Sequence, residues 1–92
     1  MSTPKQIVSF SSYVVLLQSD NTIWYSKAKL PLSWAQLTFG GTGIPASIYI
    51  TFIENAANGD MKLYLCVISS DATLWAFDIA AAAWSKVTNL PP

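Results

Sequence analysis

Apolar residues run along this chain in short bursts separated by turn formers, and the order of the bursts repeats. Tyr13 to Gln18 (YVVLLQ) and Lys62 to Ser69 (KLYLCVIS) are nearly continuous apolar stretches rich in β-branched and aromatic residues. That is the pattern of a central strand covered on both faces. After each comes almost the same phrase, Ser-Asp-Asn-Thr-Ile-Trp at 19–24 and Ser-Asp-Ala-Thr-Leu-Trp at 70–75. Tyr13 and Tyr64, like Ser19 and Ser70, stand 51 positions apart, so phrase and flank belong to one repeated unit.

Within each unit the phrase supplies turn residues between two strand-like runs, which predicts a hairpin leading into Ile23–Ser26 and Leu74–Asp78. Alternating apolar and polar residues at Trp34–Phe39 and Trp84–Thr88 predict a more exposed outer strand. A further strand lies upstream, because Thr3-Pro4-Lys5-Gln6-Ile7-Val8 aligns with Ile44-Pro45-Ala46-Ser47-Ile48-Tyr49 at a separation of 41. The separation then grows to 51 because the second copy has extra residues, read as a longer loop around the Asn58-Gly59 turn signal where the first copy has Ser11-Ser12. The run Ile79–Ala83 has helix propensity, but its counterpart in the first copy contains Pro31, so both are read as loops. The expected fold is all-β: one domain, 1–92, of two repeats at about 3–43 and 44–90, each a four-stranded antiparallel meander of the propeller-blade type.

Composition turns two blades into a statement about assembly. Of the 92 residues 52% are hydrophobic, with a mean hydropathy of +0.38. A domain this small buries a modest share of its surface, so other subunits are expected to cover part of it. The chain finishes Asn89-Leu90-Pro91-Pro92, like the inter-repeat connector Gly43-Ile44-Pro45, and starts Ser2-Thr3-Pro4, where such a connector would deliver it. The expected assembly is a head-to-tail homo-oligomer closing a β-propeller, six blades as a homotrimer, with four and eight blades as alternatives. A fragment or engineered half of a larger propeller explains two blades equally well.

Charge and candidate chemistry narrow the function classes. Five basic and five acidic residues cancel, with no lysine run, so the field that draws a protein to nucleic acid is missing. The longest mainly apolar stretch, Ile44 to Ile53, is shorter than the ~18 residues of a membrane helix. Met1 to Gln6 is polar with no apolar signal core behind it, which predicts a cytoplasmic protein or one released without a signal peptide. Catalysis needs tunable acids, bases, nucleophiles or metal ligands. There is no His and no Arg, Cys66 sits in an apolar run, and Asp20, Glu54, Asp60, Asp71 and Asp78 show no metal or acid-pair spacing. The expectation is a non-enzyme without cofactor or metal. What remains is aromatic, with Trp at matched places in both copies: Trp24 and Trp75 in third strands, Trp34 and Trp84 at the outer ones. Trp and Tyr join a flat apolar face to one polar group, which suits sugars. Repeated sites add avidity. Packing between blades is the alternative role for these Trp residues, and stabilising their own turns is the simplest role for Asp20 and Asp71. Glu54 and Asn55, at the edge of the longer loop, are further candidates for contacting a ligand between blades.

Taken with its length, repeats and the Trp after each third-strand loop, Trp34 and Trp84, the chain resembles the small bladed-propeller lectins of bacteria and fungi. The likeness is to the fucose-binding group, whose two-bladed subunits close a six-bladed ring as trimers. It implies metal-free carbohydrate binding in shallow pockets between blades. That group grips sugar hydroxyls with an Arg and a Glu; here those places hold Val14 and Tyr25 in the first copy and Leu65 and Ala76 in the second. Only the two Trp residues carry over, which leaves polar contacts to Gln36, Ser33, Asn55, Tyr25 or backbone groups. The expected function is thus a multivalent lectin with glycans as partners, and the alternative is a propeller scaffold for protein–protein interaction.

Overall fold

The computed structural model describes residues 2–10 and 12–92, which form eight strands and no helix. β1 (Pro4–Phe10), β2 (Tyr13–Gln18), β3 (Ile23–Lys27) and β4 (Ala35–Leu37) make one antiparallel sheet; β5 (Pro45–Glu54), β6 (Met61–Ser69), β7 (Leu74–Asp78) and β8 (Ala83–Val87) make a second. Both are meanders, each strand pairing with its neighbours in chain order. The Ser11-Ser12 turn expected between β1 and β2 falls partly on Ser11, outside the described residues. No helix among the described residues is long and apolar enough to cross a membrane.

The repeated phrase builds the same turn twice. Asp20 Oδ1 accepts hydrogen bonds from the Thr22 amide at 3.2 Å and the Thr22 hydroxyl at 2.6 Å, while the Trp24 indole N–H donates to Thr22 Oγ1 at 2.8 Å. Asp71, Thr73 and Trp75 repeat the relay, again with Trp75 Nε1 donating to Thr73 at 2.8 Å. The phrase is therefore a local clasp: carboxylate, hydroxyl and indole hold the turn and the first strand turn beyond it. Its third position has positive φ, 65° at both Asn21 and Ala72. Asn adopts that backbone readily and Ala does not. A second clip ties each turn to its upstream strand. The Ser19 amide donates to the Thr3 carbonyl and the Thr3 amide to Ser19 Oγ, just as Ser70 and Ile44 do in the second sheet.

Three expectations need correcting. The inserted residues of the second copy are not simply a loop: β5 and β6 have 10 and 9 residues where β1 and β2 have 7 and 6, so the hairpin itself projects further. Its tip turns tightly over Asn55–Asp60, the Asn55 carbonyl accepting from Gly59 N–H at 2.7 Å, with Gly59 at φ 73°. The first outer strand is Ala35–Leu37, not Trp34–Phe39. Phe39 leaves the sheet to set its ring edge-on against Trp75 and Trp84, at centroid distances of 6.1 and 5.1 Å. Aromatic burial there replaces further pairing with β3. Finally, β2 and β6 are not covered on both faces by this chain alone: burial alternates along them. The Ile79–Ala82 segment is a turn, as its Pro31-bearing counterpart implied, held by Asp78 Oδ1 accepting from the amides of Ala80 and Ala81.

The alternation defines how the sheets meet. Strand partners share a face, and the first sheet buries Val15, Leu17 and Ile23 against Ile48, Leu65 and Val67 of the second. Each fully buried aliphatic side chain contributes about 1.5–3 kcal/mol. The repeat pairs Val15 with Cys66 and Val14 with Leu65, so the buried face of one sheet is the equivalent of the open face of the other. The Gln6 side chain on β1 also clasps the Ile48 backbone, its Oε1 accepting from Ile48 N–H at 2.9 Å and its Nε2 donating to the Ile48 carbonyl.

Candidate ligand cleft

The β2–β3 register pairs Val15 with Tyr25 and Tyr13 with Lys27, which makes Tyr13 and Tyr25 diagonal neighbours on the face that meets the second sheet. Their ring centroids are 6.4 Å apart, with planes tilted by 55°. The pair walls a cleft of about 440 Å³ at the end of the inter-sheet core, where Val15 and Leu37 face Leu65 and Phe77, and Ile79 and Ala82 complete the lining. On their other side the same two tyrosines wall a shallower cleft of about 460 Å³. Its remaining lining comes from Ser26 and Lys27 at the end of β3 and from the β3–β4 connection, including Lys29 and Ser33. Ser26 is held there as an acceptor of the Ser33 amide at 3.0 Å.

Neither half is lined by Asp, Glu or Cys, and among the described residues no group of three or more potential ligands could hold a metal ion. Three of the five carboxylates are engaged elsewhere. Asp71 is drawn down to about 2 by the hydroxyls of Thr42 and Thr73, Asp20 is lowered by Thr22, and Asp78 by the Ala81 amide with help from Lys62. Burial pushes the Cys66 thiol up, away from nucleophilic use. The arrangement offers aromatic faces, apolar walls and an outer rim of hydroxyls and ammonium groups. It can stack a ring and bond its edges.

The residues singled out in the sequence are dispersed around this cleft. Tyr25, 38% exposed, lines both halves, and Ser33 lines the outer one. Trp24 and Trp75 are half-buried and spend their N–H groups in the turn clasps. Trp84 donates to the Thr38 carbonyl at 3.1 Å and packs on Phe77 and Phe39, so it links the end of the first sheet to the second. Trp34 is 37% exposed, immediately before β4. Gln36 is exposed on β4, opposite Trp24. Glu54 and Asn55 sit at the tip of the projecting hairpin, where Asn55 Oδ1 accepts from the Ala57 amide at 2.9 Å.

Tyr13, Phe77, Lys27 and Lys29 line the cleft and were not singled out. The signal for the first was available: a hairpin turning at 19–22 places Tyr13 beside Tyr25, on one face of β2 and β3. Comparison with family models, with curated proteins and with solved structures finds no match to this chain.

Proposed function

We propose that the chain is the subunit of a closed β-propeller, three copies giving six blades, that binds glycans without catalysis in clefts between adjacent blades. One observation carries the reading: two sheets meet through opposite faces of the repeat, and their junction opens on the Tyr13–Tyr25 cleft. Opposite-face packing propagates head to tail rather than stopping at a symmetric pair, and it makes a ring where the rotation between copies closes. The sheet faces left open here are the equivalents of those joined inside the chain, so a second copy continues the same contact. Tyr rings with aliphatic walls match the apolar face of a sugar, and their hydroxyls match its edge. The resemblance to small bladed-propeller lectins supports the same reading. The test is a glycan array read beside native mass measurement, with Tyr25→Ala as the control. Binding by an oligomer and its loss in the variant are expected; a wild type that is silent across the array sinks the reading.

A second reading, a scaffold for a protein partner, is favoured by the projecting β5–β6 hairpin, which exposes Phe52, Ile53 and Met61 together. Capture of a protein that is lost in Phe52→Ser while the array stays silent is the outcome that selects it.

A further inference from the structure

We infer that the Tyr13–Tyr25 cleft selects glycans bearing a carboxylate, and that each chain holds one such site. The inference rests on the glycan-binding reading above and adds the chemical class of the ligand and the number of sites.

Lys27 and Lys29 both line the outer half of the cleft, beside the tyrosines. They are two of five basic residues in a chain whose formal charges sum to zero, so the rim is a local excess of positive charge. Among the described residues the one salt bridge joins Lys62 to Asp78 at 3.3 Å, on the second sheet. No acidic residue lines either half of the cleft. A carboxylate arriving there meets two ammonium groups without displacing an internal partner, while the ring that carries it rests on Tyr25. Lysine suits this task because its point charge on a flexible stem follows an exposed anion without demanding one geometry. Charge-assisted bonds of this kind are stronger than those to neutral hydroxyls.

The second repeat reverses the pattern. At a separation of 51, Lys27 corresponds to Asp78, Lys29 to Ala80 and Tyr25 to Ala76. A junction built on the second sheet's open face therefore presents a carboxylate, already tied to Lys62, where the first presents an ammonium group. It also lacks the second tyrosine. An anion is drawn to one kind of junction and disfavoured at the other, so the blade clefts of a ring fall into two classes. Only the class formed within a chain takes the acid.

The test uses the full chain on an array of matched glycans that differ only at C6, terminal glucuronosyl against terminal glucosyl, followed by calorimetric titration with methyl glucuronide. Retention of the glucuronosyl member by about tenfold or more over its neutral twin is expected, with one site per chain and an advantage that shrinks as salt rises. Lys27→Gln with Lys29→Gln is expected to bring the acid down to the level of its twin while circular dichroism and native mass stay unchanged. Equal or better binding of the neutral member, or two sites per chain, overturns the inference and leaves glycan binding standing. An array silent to acidic and neutral glycans alike overturns both.

Discussion

Leu17 and Ile68 occupy the same place in the two repeats, yet Leu17 is fully buried between the sheets and Ile68 is 41% exposed. The same inversion holds for Ile48, fully buried, and its counterpart Ile7, 60% exposed. Each sheet thus keeps one of two complementary faces open. The residues on those faces, Ile7, Val14, Leu16 and Trp24 on one sheet and Tyr49, Cys66 and Ile68 on the other, are counterparts of side chains that the chain itself packs together.

Assembly follows from that inversion. Ile68→Asp is expected to reduce an oligomer to the mass of one chain with its circular dichroism intact, because a carboxylate would be stranded in the contact between copies. Ile7→Asp, on the complementary face, is expected to do the same. Leu17→Asp places the charge inside the chain and is expected to unfold it. Sedimentation that finds both surface variants at the wild-type mass would rule out the head-to-tail contact.

The turn clasp carries a pH signature. Hydrogen bonds from Thr42 and Thr73 favour the ionised form of Asp71 and hold its carboxyl at about 2, below the ordinary value of 3.8. A folded-state value lower than the unfolded one means the carboxylate contributes stability that is fully present above about pH 4. It is lost as pH falls from there through about 2. Thr42→Val is expected to move the Asp71 midpoint up toward 3.8, read from the carboxyl carbon by NMR titration. An unmoved midpoint would show that Thr42 does not hold the group.

Ala72 and Asn21 share a φ of 65°, but only Asn is at ease there. Ala72→Gly removes the steric cost and adds chain entropy to the unfolded state, for a net gain of about 0.5–1 kcal/mol. Asn21→Ala is expected to lose a similar amount. Urea unfolding of both variants checks the pair; a loss for Ala72→Gly would mean that the strain is relieved by the clasp itself.

Legibility in the sequence tracks how local each interaction is. The clasp is written within six residues, so the repeat, the hairpins and the bounds of β2 and β7 could be read directly. The short β4 could not, because Phe39 leaves its sheet for Trp75 and Trp84, partners far along the chain. Nor could the covered face of each strand be chosen, since Val14 and Val15 are equally apolar and only the second sheet decides between them. The cleft was glimpsed through Tyr25 and Ser33 alone. Matched tryptophans drew attention by their repetition, whereas the tyrosine pair is unique to the first repeat, Tyr25 having Ala76 as its counterpart.

The connector between the sheets offers a last test of how they are joined. A Cβ on Gly40 would lie 2.5 Å from Trp84 Cδ1, and one on Gly41 would lie 2.6 Å from Trp75 Cδ2, so the chain passes both indoles too closely for any side chain. Gly40→Ala must push Trp84 off Phe39 and off the Thr38 carbonyl, an overpacking cost of about 1–3 kcal/mol. If the indole is the cause, Trp84→Ala in the same chain removes both the Cδ1 and the Cγ that crowd this position, and the Gly40→Ala penalty measured in that background shrinks to a fraction of its value. A double-mutant cycle by urea unfolding reads this directly. A penalty that stays whole without the indole would place the cost in the connector's backbone, and the close approach to Trp84 would then not be what requires glycine there.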